Sequence, residues 1–325
     1  MAKSSTGDRS ADFSYSVVIA ARDSEATIAS AVESALDQSV LPSEIIVVDD
    51  GSSDSTADVV RSIGSPLIVV ERQENAGPGQ ARNRGIAIAR GEWVAFLDAD
   101  DRWSSDHAQS LGELSARFPD ARLLAAAFCE VAEGSRRIAG PGKAGKWSAA
   151  DFLDGPALSP IHTSGVAIQR SFALDLGGFP REFPGEDVDL WLRSALAGPI
   201  AVTGRATSCY SRRSGSIMAD QGGVVAKLPR QPLLKSLDDA IGDPAHAGIR
   251  SSILRYRENA YRSFLQMAVA QSDPVASRTL VRMMRGRQIP VPVLLAGLSA
   301  APRPALLAAN AVRRQLLART SNHGK

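Results

Sequence analysis

An α/β fold built on a largely parallel sheet is predicted by two features of the first hundred residues. Short apolar, β-branched runs alternate with stretches of helical periodicity, and three of those runs lead directly into acidic or charged clusters. Strands that are apolar on nearly every residue must be buried on both faces, which is what helical crossovers between parallel strands provide.

Residues 16–20 form the first such run. Ser24 is placed to cap a helix that carries Ile28, Ala31, Val32 and Ala35 at helical spacing. Residues 44–48 (Glu-Ile-Ile-Val-Val) predict a second buried strand, ending in Asp49-Asp50-Gly51-Ser52-Ser53-Asp54. A second helix is expected over 55–63, a third strand over 67–70 and a third helix over 80–89. A fourth strand, 93–97, runs into Asp98-Ala99-Asp100-Asp101. In parallel sheets ligands sit beyond the carboxyl ends of the strands. The clusters Arg22-Asp23, Asp49-Asp50 and Asp98 to Asp101 therefore fall along one edge, where chemistry is expected.

Residues 121–216 read as irregular, with turns such as Gly140-Pro141-Gly142, apart from an acidic segment from Gly185 to Leu192. Its carboxylates suit the positive end of a helix dipole. Beyond about residue 226 the composition turns helical and Arg-rich. Residues 226–325 hold 16 Lys/Arg against 5 Asp/Glu, whereas 1–225 hold 21 against 30. The expected organisation is a disordered N-terminus over 1–12, an α/β domain over 13–225 and a basic helical region over 226–325.

Bulk properties narrow the function classes. A chain of 325 residues that is 44% hydrophobic and 22% charged can bury a sizeable core. Its two cysteines, Cys129 and Cys209, make no disulfide framework and favour a reducing cytoplasm. The polar N-terminus has no apolar secretory segment. The most apolar stretch, 289–301, is shorter than a membrane span and carries Pro290 and Pro292. Basic residues are not interleaved with aromatics, which argues against nucleic acid as a partner.

Four constellations carry candidate chemistry. Asp98-Ala99-Asp100 at a strand end suits a hard divalent cation bound to a diphosphate, although an isolated Asp-X-Asp is also an ordinary acidic turn. Asp50 is placed to accept from a nucleoside, with Asp54 expected to be structural. The glycine-rich helix entry from Asn75 to Gly85 favours anions through its backbone N–H groups, and Arg82 or Arg84 is placed to reach a phosphate. It is not the dinucleotide fingerprint, because Arg82 holds the third glycine position. Glu186-Asp187 offers a carboxylate for acid–base work, whereas Asp189 faces elsewhere on any helix and is expected to be structural. His162, in Ser-Pro-Ile-His-Thr-Ser-Gly, either lines a pocket or is a satisfied structural histidine.

In order, Ser16-Val-Val-Ile-Ala, Ile45 to Asp54, Asn75 to Gly85, Phe96-Leu-Asp-Ala-Asp-Asp101, and Gly177-Gly-Phe-Pro followed by Gly185 to Arg193 resemble the family 2 inverting glycosyltransferases across about 205 residues. The resemblance implies a GT-A fold, a nucleotide-diphosphate sugar donor (a UDP-sugar favoured) and Mn2+ or Mg2+ as cofactor. It also implies a hexosyltransferase-like, inverting enzyme. By position, Asp187 would be the catalytic base. Ala21, Asp23, Asp50, Arg82 and Asp98 would form the donor side, and Asp100 with Asp98 would hold the metal. Glu186, His162 and Trp191 would face the acceptor, a glycan or a lipid-linked sugar as in cell-surface polysaccharide or glycolipid synthesis. The chain departs from the family at Ala20-Ala21-Arg22-Asp23, where Pro-X-Tyr-Asn is common, and at Arg213, where a histidine is frequent. The basic region 226–325 lies outside the resemblance. It either meets an anionic membrane surface at the cytoplasmic face or packs on the catalytic domain or a second copy. The rival function classes are a nucleotidyltransferase on a related scaffold and a non-catalytic sugar-nucleotide-binding protein.

Overall fold

The sheet begins with β1 (Tyr15–Ala21), which pairs in parallel with β2 (Glu44–Asp49) on one side and β4 (Trp93–Phe96) on the other; β3 (Ile68–Arg72) extends it beyond β2. The structure, a computed structural model, describes residues 13–132, 135–141, 144–155, 161–181, 185–211 and 227–292. The expected disordered N-terminus, 1–12, lies outside the described residues, as does Arg213.

The alternation expected of strands sorts side chains onto two faces. Val18, Ile46 and Val48 join one apolar layer, and Val17, Ile19, Ile45 and Val47 join the other. The second layer is covered by α1 (Ile28–Leu36), α2 (Thr56–Ser62) and α4 (His107–Arg117). The first is covered by α3 (Pro78–Ile88), which packs so closely that a Cβ on Gly85 would lie within 2.8 Å of Val18 Cγ2. That contact explains why glycine stands in a helix interior despite its cost of about 1 kcal/mol against alanine.

Helix α1 starts at Ile28, later than a Ser24 cap would place it, and Thr27 occupies the cap position. Ser24 instead offers its carbonyl to the N–H groups of Thr27 and Ile28, and its own N–H donates to Thr56 Oγ1. The larger correction concerns residues 121–216. The described residues there contain β6 (Leu123–Ala132), β7 (Ser135–Ala139), β8 (Gly145–Trp147), β9 (Val166–Gln169) and β10 (Ile200–Ser211), together with α5 (Ala149–Leu153), α6 (Arg170–Asp175) and α7 (Glu186–Ala197). Alanine-rich β6 has weak strand propensity by itself, and its burial between β9 and β10 makes it a strand.

The main strand order is β3-β2-β1-β4-β9-β6-β10-β5, where β5 is Arg102–Trp103. β9 runs antiparallel to both β4 and β6, while β6 and β10 are parallel. After β10, α8 (Pro232–Gly242), α9 (Arg250–Ala270) and α10 (Pro274–Gly286) add Leu237, Ile253, Tyr261, Leu280 and Met284 to the apolar layer that holds Val18 and Leu190. The described part of the basic region thus packs on the α/β domain, against α5 and α7. None of the described helices is long and apolar enough to cross a membrane.

Candidate active site

The strand ends of β1, β2 and β4 lie side by side, because Ala21 pairs with Asp49 and Val18 with Phe96. Asp50 N–H donates to the Ala21 carbonyl at 2.8 Å, joining the two loops. Asp23 stands in the left-handed region at φ 47°, and its Oδ1 accepts from the N–H and hydroxyl of Ser53. Those bonds hold its carboxyl below the usual range. Asp54 accepts from Thr56 N–H and Glu25 N–H, the structural role expected of it.

Asp50 is buried, and its carboxylate accepts from Gln73 Nε2 at 2.8 Å, Ala76 N–H at 2.8 Å and Gly77 N–H at 2.9 Å. A carboxylate has about four acceptor positions, so these three bonds leave little more than one for a ligand. What Asp50 does here is shape the entry to α3, whose N-cap is Gly77 at φ 92°.

One turn into α3 stands Arg82, the residue expected to reach a phosphate. Its guanidinium is buried and already engaged. Nη2–H donates to Asp98 Oδ1 at 2.8 Å, and Nη1–H to Glu186 Oε1 at 3.1 Å. Burial alone would lower its pKa, but the charges of Asp98, Glu186 and Asp187 outweigh that and hold it above its ordinary value. Asn83 beside it clamps the chain after Gly178: its Nδ2–H donates to the Phe179 carbonyl, and its Oδ1 accepts from Phe179 N–H, both at 2.8 Å. Arg84 forms an exposed ion pair with Glu71.

Helix α7 opens after Gly185 at φ 94° and sets Glu186 and Asp187 in its first turn. Glu186 is buried, and burial followed by the nearby charge of Asp187 pushes its pKa up to about 7 against the pull of Arg82. Asp187 Oδ2 accepts from Thr163 Oγ1 at 3.2 Å. Two residues expected to face the acceptor are turned inward. Glu186 faces Arg82, and Trp191 is wholly buried with its ring 6.1 Å from Phe96 and 5.8 Å from Phe179, forming the floor beneath α7.

His162 lies 3.6 Å from Asp101 Oδ2, between the rings of Phe128 and Tyr210. Burial lowers its pKa more than Asp98, Asp187 and Asp100 raise it, so the imidazole is neutral and competent as a ligand. Asp98, Asp101 and His162 each offer one ligand atom, all within 4.8 Å of one another. Two carboxylate oxygens and a neutral imidazole suit Mn2+, and Mg2+ less closely because it favours all-oxygen shells. The expected Asp98–Asp100 pair is not the set that the structure groups most tightly, and Asp100 is the more exposed neighbour.

Sequence reasoning assigned no role to Asp101, Thr163 or Ser164. Ser164 Oγ donates to Asp101 and accepts from Asp98 N–H, its carbonyl accepts from Trp103 Nε1, and Thr163 meets Asp187. The run His162-Thr163-Ser164-Gly165, polar residues shortly after Pro160 in sequence, was the visible signal. What it lacked was any partner near in sequence.

Residues 16–138 match the profile of Glycosyl transferase family 2. The chain is 44% identical over 97 residues to the succinoglycan biosynthesis protein ExoO of Rhizobium meliloti, covering 30% of this chain and 28% of that one. It is 32% identical over 198 residues to the amylovoran biosynthesis glycosyltransferase AmsB of Erwinia amylovora, covering 58% and 65%. It therefore spans less than two thirds of these relatives' length. Among solved structures, S. aureus TarS 1-349 in complex with UDP-GlcNAc superposes with a TM-score of 0.57 at 18% identity, covering 93% of this chain and 92% of that one. The mannosyltransferase PcManGT from Pyrobaculum calidifontis, in complex with GDP-Man and Mn2+, superposes with a TM-score of 0.52 at 19% identity, covering 92% and 79%. Residues 16–138 thus carry a Glycosyl transferase family 2 domain, and the fold is of the GT-A type.

Proposed function

We propose that this protein is a metal-dependent inverting glycosyltransferase that moves a hexose-like sugar from a nucleoside-diphosphate donor, a UDP-sugar in the first instance, to an acceptor hydroxyl. The observation that carries the reading is the convergence of Asp98, Asp101, His162 and Asp187 from three separate segments on the Arg82–Glu186 ion pair. The solved neighbours that hold UDP-GlcNAc and GDP-Man support a nucleotide-sugar donor.

Asp187 takes the proton of the acceptor hydroxyl as that oxygen attacks the anomeric carbon. The bond from that carbon to the diphosphate oxygen breaks, and the nucleoside diphosphate leaves with the electron pair. A positioned base of this kind contributes roughly 10²–10⁴-fold. Asp98, Asp101 and His162 would hold Mn2+ or Mg2+, with Asp100 close by, and the cation would supply charge stabilisation to the departing diphosphate. Ala21, Asp23 and Asp50 form the donor edge, and Arg82 orients Asp98.

The acceptor class follows from a second observation. Arg278, Arg282 and Arg285 are exposed along one side of α10, a helix without an acidic residue, while Leu280, Val281 and Met284 are buried. A basic stripe of this kind favours an anionic membrane surface at the cytoplasmic face. That suits a lipid-linked acceptor in cell-surface glycan synthesis, with no nucleic-acid partner.

A thermal-shift panel of UDP, GDP, CDP and TDP with and without manganese tests the donor. A ligand at 100 times its dissociation constant stabilises by about 2.7 kcal/mol. Manganese-dependent stabilisation by one diphosphate, followed by turnover of the matching sugar nucleotide with release of that diphosphate, is expected. Pyrophosphate release from a nucleoside triphosphate and a sugar phosphate would replace this reading with a nucleotidyltransferase.

A further inference from the structure

Asp189 stands on the same helix as Asp187, in its first turn, and is 2% exposed. A carboxylate so far from water needs donors, because burying it unpaired is costly. Two helices supply them. Ser236 Oγ, on α8, donates to Asp189 Oδ1 at 2.5 Å, and Arg193 Nε–H, on α7 itself, donates to Asp189 Oδ2 at 2.8 Å.

The Arg193 guanidinium reaches further. Its terminal N–H groups donate to the carbonyls of Leu176 at 2.6 Å and Gly178 at 2.7 Å. That turn leads into Phe179, whose N–H and carbonyl are both held by Asn83 of α3. A continuous set of hydrogen bonds therefore runs from α8 through α7 to α3, the helix that also carries Arg82. A second contact fixes α7 where it starts. Asp189 N–H closes the first turn onto the Gly185 carbonyl at 3.1 Å. A Cβ on Gly185 would lie 1.8 Å from Gln231 Oε1, so the amide of the residue before α8 sits directly against the N-cap of α7.

Asp187 lies between these two anchors, Gly185 and Asp189. Its own bond from Thr163 Oγ1, at 3.2 Å, is longer than the usual hydroxyl–oxygen range of about 2.5–3.0 Å. The shorter bonds are those at Asp189, and they act on the turn that carries both acids.

We propose that Ser236 is a positioning residue for Asp187. By holding Asp189 it sets the rotation and height of the first turn of α7, and so the line along which the Asp187 carboxylate meets the acceptor hydroxyl. The C-terminal helices are then part of the working site as well as a cover for its apolar layer. This inference rests on the reading of Asp187 as the base.

Ser236→Ala in the full chain removes one donor from a half-buried position. The expected result is a kcat lower by about tenfold, with donor KM and calorimetric donor affinity held within about twofold. Ser236→Thr, which keeps the hydroxyl, should recover most of the rate. In single-turnover transfer, Ser236→Ala added to Asp187→Asn should cost nothing further, because both changes act on the same group. An unchanged kcat in Ser236→Ala would overturn the proposal. So would an equal loss in Ser236→Thr, a further tenfold loss in the double variant or a collapse in folded protein, since each assigns Ser236 to the general stability of the fold. Asp187→Asn alone separates the two levels. If that variant turns over normally, the base assignment itself fails. If it is inactive while Ser236→Ala is fully active, only the role of Ser236 fails.

Discussion

Arg82 Nη1 lies 3.1 Å from Glu186 Oε1, joining a residue of α3 to the first residue of α7 across 104 positions of sequence. Through its other terminal nitrogen the same side chain holds Asp98 at 2.8 Å, so one buried cation aligns the loop after β4 with the helix that carries Asp187. Fork geometry makes this possible, because the planar guanidinium offers separate donors to two carboxylates where a lysine offers one point charge.

Removing that cation should therefore damage both stability and site. Arg82→Gln leaves Asp98 and Glu186 without their counter-charge, and breaking a buried pair in this way costs about 3–5 kcal/mol. Arg82→Lys is expected to lose less. Urea unfolding of both variants measures the difference, and a loss under about 1 kcal/mol for the Gln variant would show that the pair is not under tension.

Asp187→Asn keeps the shape of the helix terminus and removes the base. Transfer should fall by at least about 10²-fold while donor affinity in the presence of manganese stays within a few-fold. Single-turnover transfer and titration calorimetry report the two quantities independently.

The ligand set is decided by comparing three variants. His162→Ala and Asp101→Asn should each weaken manganese binding by about tenfold or more, a larger effect than Asp100→Asn. Calorimetry with manganese and UDP reads all three. The reverse ranking would return the site to Asp98 and Asp100.

His107 predicts an acid limb in stability. It is wholly buried, its Nδ1 lies 2.7 Å from Thr207 Oγ1, and its ring stacks on Trp103 with centroids 4.3 Å apart. Burial pushes its pKa down to about 3, far below the free value of 6.5. Between these values the unfolded chain binds a proton that the folded chain refuses, so stability falls as pH drops from 6.5 towards 3. Denaturation midpoints across that window should decline steeply in the parent and more shallowly in His107→Gln.

The basic side of α10 predicts binding to vesicles. The full chain should co-sediment with phosphatidylcholine vesicles containing phosphatidylglycerol and remain in solution with phosphatidylcholine alone. Replacing Arg278, Arg282 and Arg285 by glutamate, or raising the salt, should release it. Equal binding to both vesicle types would point to an apolar contact instead.

How much of this was legible in the chain depended on where each partner lay. Strands β1, β2 and β4 announce themselves because burial on both faces demands apolar residues almost without interruption, and the charged clusters that follow them then stand out. Strands β6 and β10 do not, since alanine, glycine and serine carry little strand signal until neighbouring strands enclose them, β9 lying 41 or more positions from β6. Trp191 belongs to an acidic motif and so reads as a contact residue, yet helical spacing turns it inward onto Phe96 and Phe179.

The sequence by itself determined the α/β architecture, the edge at which ligands gather and the acids that mark it, because period, burial and turn chemistry act within a few residues. Only the tertiary structure decided the rest. It tied Arg82 to Asp98 and Glu186, put His162 beside Asp98 and Asp101, and brought Ser236 to the helix of Asp187. These are relations between charged or polar side chains distant in sequence. Their geometry is set by how layers pack, a property of the whole chain that no local pattern contains.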